Sequence, residues 1–233
     1  MEQYQHEHHH MKHQNHGVKN NIDTTMSFKN NKLSVHLEDD NKKPLKLIKN
    51  HEKIMHLIVV SEDLHEFYHL HPEQIDPKTF QTEIKLEKEK AYKAFVDITV
   101  EDKNYLIKPI CISGGFNHQR MSLALDTVKS KEIEGKRIEF NHSPFLVNQK
   151  IELHFDIKND KPDHYLGALG HVVIIDEQVE KFIHVHPKSD NETTFETYFD
   201  TPGKYKLWAE FKFGQKIVNF PYAFSVELKH VIQ

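Results

Sequence analysis

The sequence predicts an all-β chain, with two tandem β-sandwich domains behind a disordered, histidine-rich N-terminal tail. Three observations carry that expectation: an internal repeat, a hydrophobic period of two, and the lack of any segment with a helical stripe. The repeat is plainest at His56-Leu-Ile-Val-Val-Ser-Glu-Asp-Leu-His-Glu-Phe-Tyr-His69-Leu-His71-Pro72 and His171-Val-Val-Ile-Ile-Asp-Glu-Gln-Val-Glu-Lys-Phe-Ile-His184-Val-His186-Pro187, 115 residues apart. Both read H-x12-H-x-H-P. A repeat at this spacing dictates architecture before any propensity is consulted.

The match runs well beyond the histidines. Leu33-Ser-Val-His36 aligns with Ile151-Glu-Leu-His154, and Phe80-Gln-Thr82 with Phe195-Glu-Thr197. Tyr92-Lys-Ala-Phe-Val-Asp97 aligns with Tyr205-Lys-Leu-Trp-Ala-Glu210, and Tyr105-Leu-Ile-Lys-Pro109 with Ile217-Val-Asn-Phe-Pro221. The offset drifts between 112 and 118, as loop insertions between fixed strands would make it. We place the tail at 1–21, the first domain at 22–125, a linker at 126–136 and the second domain at 137–229. Gly114-Gly115-Phe116-Asn117-His118 is turn chemistry, and Met121–Val128 reads as a last strand or an extended linker.

Each element then follows from its pattern. Leu33, Val35 and Leu37 alternate with Ser34, His36 and Glu38; Ile151, Leu153, Phe155 and Ile157 alternate with polar residues in the same way. Such alternation marks strands with one wet face. Leu57-Ile-Val-Val60 and Val172-Val-Ile-Ile175 are apolar on both faces, which suits central strands. Ser61–Glu66 and Asp176–Lys181 read as hairpin connections, and Thr201-Pro-Gly203 as a turn before a further strand. Short strands between turns at roughly 8–12-residue spacing point to an immunoglobulin-like or cupredoxin-like sandwich.

Composition narrows the chemistry. A net charge of -4 offers no basic footprint, so nucleic acid is not an expected partner. No apolar run approaches the ~18 residues of a spanning helix. Glu2-Gln-Tyr-Gln-His6 is polar where a signal peptide would be apolar, which predicts a cytoplasmic protein as written and an extracytoplasmic one if the chain is a processed form. Cys111 is the single cysteine, so Cys-based zinc clusters and a duplicated blue-copper site are excluded. Its place between Ile110 and Ile112, opposite Ala223, predicts a small buried core residue.

The histidines carry the functional expectation. If the loop of each hairpin is even-numbered, positions summing to 127 face each other in the first copy and positions summing to 357 in the second. His56 then lies opposite His71 and shares a face with His69, and His171, His184 and His186 repeat the set. Imidazole suits zinc, copper or nickel, and three such ligands leave a position open. Met55, Glu73 and Tyr165 are candidates for a fourth group. The plainer alternative is a structural polar cluster; for His36 and His154, on a wet face, a solvated surface role is the expectation. In the tail, His6, His8, His9, His10, His13 and His16 put six imidazoles into eleven residues, a composition that chelates divalent metal whatever its structure. The run is interrupted, so it reads as a native tail rather than an engineered tag.

Gly170-His-Val-Val-Ile-Ile-Asp176, Phe182-Ile-His-Val-His-Pro187, Phe195-Glu-Thr197 and Gly203-Lys-Tyr-Lys-Leu-Trp208 together resemble a bacterial β-sandwich module. That module is similar to the YtkA-like or copper-chaperone-like domains, and the resemblance covers nearly all of residues 25–228. The module is found, often in tandem, in secreted or lipid-anchored proteins, and the resemblance implies a setting in heavy-metal handling. Taken with the histidines, the expectation is a non-enzymatic protein that captures, buffers or delivers copper or zinc ions, with a metal-trafficking protein as a further partner. The alternative is a sandwich that binds a protein partner and uses its histidines structurally. No nucleophile–base–orienter set is evident, and no general base is found at a fixed place in both copies.

Overall fold

Alternating apolar residues pair into two sandwiches, one per repeat. The computed structural model describes residues 22–50, 52–100, 103–113, 122–185 and 187–229, and among them every regular element is a strand. In chain order the first repeat holds β1 (Ile22–Lys29), β2 (Lys32–Asp39), β3 (Leu47–Ile48), β4 (His56–Ser61), β5 (Phe67–Leu70), β6 (Glu73–Gln74), β7 (Thr79–Glu83), β8 (Tyr92–Val100), β9 (Lys103–Leu106) and β10 (Ile110–Ser113). One sheet runs β1-β2-β7-β6 and the other β10-β8-β4-β5, with β3 and β9 also paired to β8. The second repeat holds β11 (Ser130–Ile133), β12 (Lys136–His142), β13 (Lys150–Ile157), β14 (His171–Asp176), β15 (Phe182–Val185), β16 (Thr194–Tyr198), β17 (Gly203–Phe213) and β18 (Lys216–Val226). Its sheets run β11-β12-β13-β16 and β15-β14-β17-β18. β1, β2 and β7 correspond to β12, β13 and β16, and β4, β5 and β8 to β14, β15 and β17, with β18 doing the work of β9 and β10; β3, β6 and β11 have no counterpart among the described residues. This is the Greek-key sandwich of immunoglobulin-like domains. No helix of the described residues is long and apolar enough to cross a membrane.

Each sandwich has its own core. Leu33, Val35 and Phe80 of one sheet meet Leu57, Val59 and Val96 of the other in the first repeat. Leu153, Phe155 and Phe195 meet Val172, Ile174 and Leu207 in the second. The segment read as a linker, 126–136, is partly strand: β11 pairs with β12 there, joined by a tight turn with Glu134 and Gly135 both at positive φ. Ahead of it, 122–128 is an extended connection laid along the second sandwich. Leu123 N–H donates to Glu177 (2.6 Å), and Asp126 N–H donates to the Ala223 carbonyl (2.9 Å). The tail 1–21, the turn at Gly114–His118 and Met121 lie outside the described residues.

Cys111 corrects its expectation: it is exposed. Neighbouring residues of a strand point to opposite faces, so Ile110 and Ile112 turn toward the core and carry the cysteine outward between them. His36 and His154 stand as expected on the wet faces, where their Nδ1 atoms lie 3.1 and 2.9 Å from the hydroxyls of Thr79 and Thr194.

The strands that are apolar on both sides explain how the sandwiches meet. Ile58, Val60 and Phe95 turn away from their own core and pack on Val173, Ile175 and Trp208 of the other repeat. The sheets containing β4 and β14 therefore lie back to back, which gives four layers. The contacts are exchanged with a pseudo-two-fold relation. Phe67 stacks on Trp208 at 4.7 Å, and Phe95 on Phe182 at 5.6 Å, where Phe67 matches Phe182 and Phe95 matches Trp208 in the repeat. Lys206 Nζ donates to the Leu64 carbonyl (2.7 Å), and Lys93 Nζ to that of the matching Val179 (3.3 Å). Leu64 and Val179 sit in the left-handed region, with φ of 59° and 56°, in the hairpin turns. That conformation is costly for a branched side chain, and burial of both residues in the interface offsets it.

Candidate metal centre

At one end of this interface the alternation that delivers Ile58 and Val60 also delivers His56. Across the hairpin, Leu57 pairs with Leu70 and Ile58 with His69, the register expected from an even loop. In the second copy Val172 pairs with Val185 and Val173 with His184. His69 and His184 thus share the face of Ile58 and Val173, the face that meets the other domain. The six folded-domain histidines were expected to form two separate triplets. Instead, five of them gather in one interdomain cluster, and His186 lies outside the described residues. Ring centroids lie 5.3 Å apart for His56–His69, 5.0 Å for His56–His71 and 4.7 Å for His69–His71. From the other repeat, His184 comes within 5.1 Å of His56 and 5.7 Å of His69, and His171 within 6.1 Å of His69. The reason is the packing of the two outer faces, which neither hairpin encodes alone.

Hydrogen bonds set the tautomers, and they follow the repeat. His56 Nε2–H donates to the Asn50 carbonyl at 3.0 Å, and His171 Nε2–H to the carbonyl of the matching Tyr165 at 2.8 Å. Each of these rings keeps Nδ1 as its unprotonated nitrogen. His69 and His184 use their other nitrogen: His69 Nδ1–H donates to Glu210, and His184 Nδ1–H donates to Asp97 at 2.8 Å. Glu210 stands opposite His171 in its own sheet, and Asp97 opposite His56 in its own. Each carboxylate therefore holds a histidine of the other repeat. A carboxylate or carbonyl on the far nitrogen is how metal-binding imidazoles are commonly oriented.

The result is a convergence of lone pairs. One ligand atom from each of His56, His69 and His71 lies within 4.8 Å of the other two. His56 Nδ1 and His69 Nε2 are 3.0 Å apart. His71 Nε2 is buried without a hydrogen-bond partner among the described residues. The His69 side chain is 1% exposed and Glu210 5%. Of the other suggested ligands, Met55 is buried in the first core and Glu73 is exposed at the surface. Tyr165 is a wall of the cluster, its ring 5.7 Å from His171 and 6.4 Å from His71. The tail histidines His6, His8, His9, His10, His13 and His16 lie outside the described residues.

Comparison with known proteins identifies the lineage. Residues 11–111 and 131–228 both match the domain of unknown function DUF8832. The chain belongs to this family. The two matched segments carry the two copies of the H-x12-H-x-H-P pattern. No curated protein matches the chain in sequence. Among solved structures, the chicken CNTN1 FN1–FN3 domains align over 88% of this chain and 66% of theirs, at 10% identity and a TM-score of 0.25. A two fibronectin type-III domain segment from chicken tenascin aligns over 88% and 98%, at 12% identity and a TM-score of 0.26.

Within this DUF8832 pair, the residues that sequence reasoning missed are Asp97 and Glu210. Both end the aligned stretches Tyr92–Asp97 and Tyr205–Glu210, so an acid does occupy a fixed place in both copies. The signal was an acid inside an otherwise buried strand, alternating onto the same face as Phe95 or Trp208. Behind the centre, Gly170 leaves room where the chain enters β14; a Cβ there would stand 2.5 Å from the Phe211 ring.

Burial favours the neutral, metal-ligating form of His56, His71 and His171. It holds His56 down at about 4, helped by the neighbouring His69, and His71 down at about 2, with His69 and His56 adding to the effect. His171 is lowered for the same reason. The groups facing them are Asp97, Glu210, Lys53 and Glu52. A histidine whose folded pKa lies below its unfolded ~6.5 binds fewer protons folded than unfolded in that window. Its contribution is whole above pH 6.5 and is lost as pH falls toward 4. Urea melts of the metal-free chain should therefore show a falling midpoint between pH 7 and 5; a flat midpoint would show that folding leaves the histidine pKa values unshifted.

Proposed function

We propose that this protein is a non-enzymatic transition-metal protein, and that His56, His69 and His71 bind one divalent ion at the junction of its two domains. The observation that supports it is the 3.0 Å approach of His56 Nδ1 to His69 Nε2, on rings whose other nitrogens face the Asn50 carbonyl and the Glu210 carboxylate. When both rings are neutral those two nitrogens face each other with lone pairs, which repel unless a proton or a metal ion lies between them. His71 offers a third ligand atom within 4.8 Å of the other two. An all-imidazole donor set favours Zn(II) or Cu(II) over Cu(I), which prefers sulfur, and the resemblance to copper-chaperone-like modules is in keeping with copper. Six tail imidazoles would capture ions for this centre, and storage or handover to a trafficking protein would follow.

The test is calorimetry with Zn(II) and Cu(II), with elemental analysis, on the whole chain and on the chain without residues 1–21. The expected result is that one tightly bound ion per chain survives removal of the tail. Loss of all binding with the tail would make the buried histidines a structural cluster and leave the sandwiches as an interaction module.

A further inference from the structure

We infer that His184, from the second repeat, is the fourth ligand of the ion held by His56, His69 and His71, so that the metal ties the two sandwiches together. The inference rests on the metal-binding reading above and adds the partner that closes the coordination sphere. His184 is the nearest second-repeat ring to that triplet, 5.1 Å from His56 and 5.7 Å from His69, whereas His171 stands 6.1 Å from His69. Its Nδ1–H is held by Asp97, so Nε2 is the nitrogen it would offer. Since, among the described residues, only the ligand atoms of His56, His69 and His71 lie within 4.8 Å of one another, the His184 ring must draw in on the ion as it binds. The ring is almost wholly buried, and so is its carboxylate partner, with side chains 5% and 12% exposed.

The arrangement matches that of His69, whose Nδ1–H is held by Glu210 of the second repeat. Two His–carboxylate pairs, each spanning the interface in opposite directions, put one imidazole from each repeat on the same centre. A four-ligand sphere with protein on every side is the pattern of a closed, structural or storage site, not of one that keeps a position open for substrate. Affinity for the ion and docking of the domains then become one equilibrium, since an ion bound only by the docked form stabilises it by mass action.

Co(II) is the probe, because its d–d bands are intense when four-coordinate and faint when water expands the sphere. Full-length wild type, His184→Ala and His69→Gln/His71→Leu are titrated with Co(II); the tail's contribution is common to all three and cancels in the differences. Intense bands in wild type that collapse to faint ones in His184→Ala support the fourth ligand. Bands of undiminished intensity in His184→Ala overturn it while leaving the three-histidine site standing. Wild-type spectra identical to those of His69→Gln/His71→Leu would overturn the parent reading as well.

Should His184→Ala fail to fold by circular dichroism, Asp97→Asn takes its place. The amide oxygen still accepts from Nδ1–H, but the charge that strengthens the ligand is gone. Competition with a chelator should then show Zn(II) affinity reduced about 10–100-fold, and unchanged affinity would overturn the proposal.

Discussion

Replacing His71 by leucine should sharply reduce metal-induced stabilisation of the folded chain while leaving the metal-free protein at least as stable as before. The two halves of that result come from one atom. His71 Nε2 is buried with no hydrogen-bond partner among the described residues, and an unsatisfied buried polar atom costs about 1–3 kcal/mol. An apolar side chain of similar size removes that cost. With Zn(II) present the sign reverses, because wild type gains about 2.7 kcal/mol at free ion 100-fold above its Kd and the variant loses a ligand.

Adding His69→Gln should complete the loss. Glutamine is chosen over alanine because its amide can still donate to Glu210, which is 5% exposed; a buried carboxylate stripped of its partner costs roughly 3–5 kcal/mol by itself. Thermal melts with Zn(II) and with chelator read both halves. A metal-free His71→Leu chain markedly less stable than wild type would show that Nε2 has a structural partner, and the metal reading would lose its main support.

A charge placed in the middle of the interface should separate the sandwiches without unfolding either. Val60→Asp is the variant. Val60 is fully buried and sits on the face of β4 that packs on the second repeat, while Leu57 and Val59 on its other face hold the first core. An ionised aspartate there has no partner, and the cost of about 3–5 kcal/mol falls on the docking of the domains. Trp208 is the chain's single tryptophan and lies in this interface, 3% exposed and stacked on Phe67. Its emission should move to the red as water reaches it, with far-ultraviolet circular dichroism unchanged and the metal affinity of the centre reduced. Red-shifted emission with loss of the β signal would mean that the sandwiches are not independent of their contact.

Much of this molecule was legible along the chain because the determining interactions are short in sequence. Strand faces follow from alternation, as at Leu33–Leu37 and Ile151–Ile157. The hairpin registers that pair Ile58 with His69 and Val173 with His184 follow from loop parity. The Tyr105–Pro109 match to Ile217–Pro221 anticipated the equivalence of β9 with part of β18. Local pattern was less reliable where a strand lies at an edge. Cys111, flanked by two isoleucines, looked buried and is not, because only one face of that strand is covered.

What the sequence by itself determined is the duplicated sandwich and the placing of His56, His69 and His71, with His171 and His184, on one face of each inner sheet. What only the tertiary structure decided is that the two faces cover each other. An apolar run such as Leu57–Val60 announces that both sides of a strand leave water, but hydrophobic burial is non-directional and does not name the covering surface. The Glu210–His69 and Asp97–His184 contacts span 141 and 87 residues, and they exist only once the docked faces have aligned the two repeats about their common pseudo-axis. Two triplets that looked like two sites thereby became one centre.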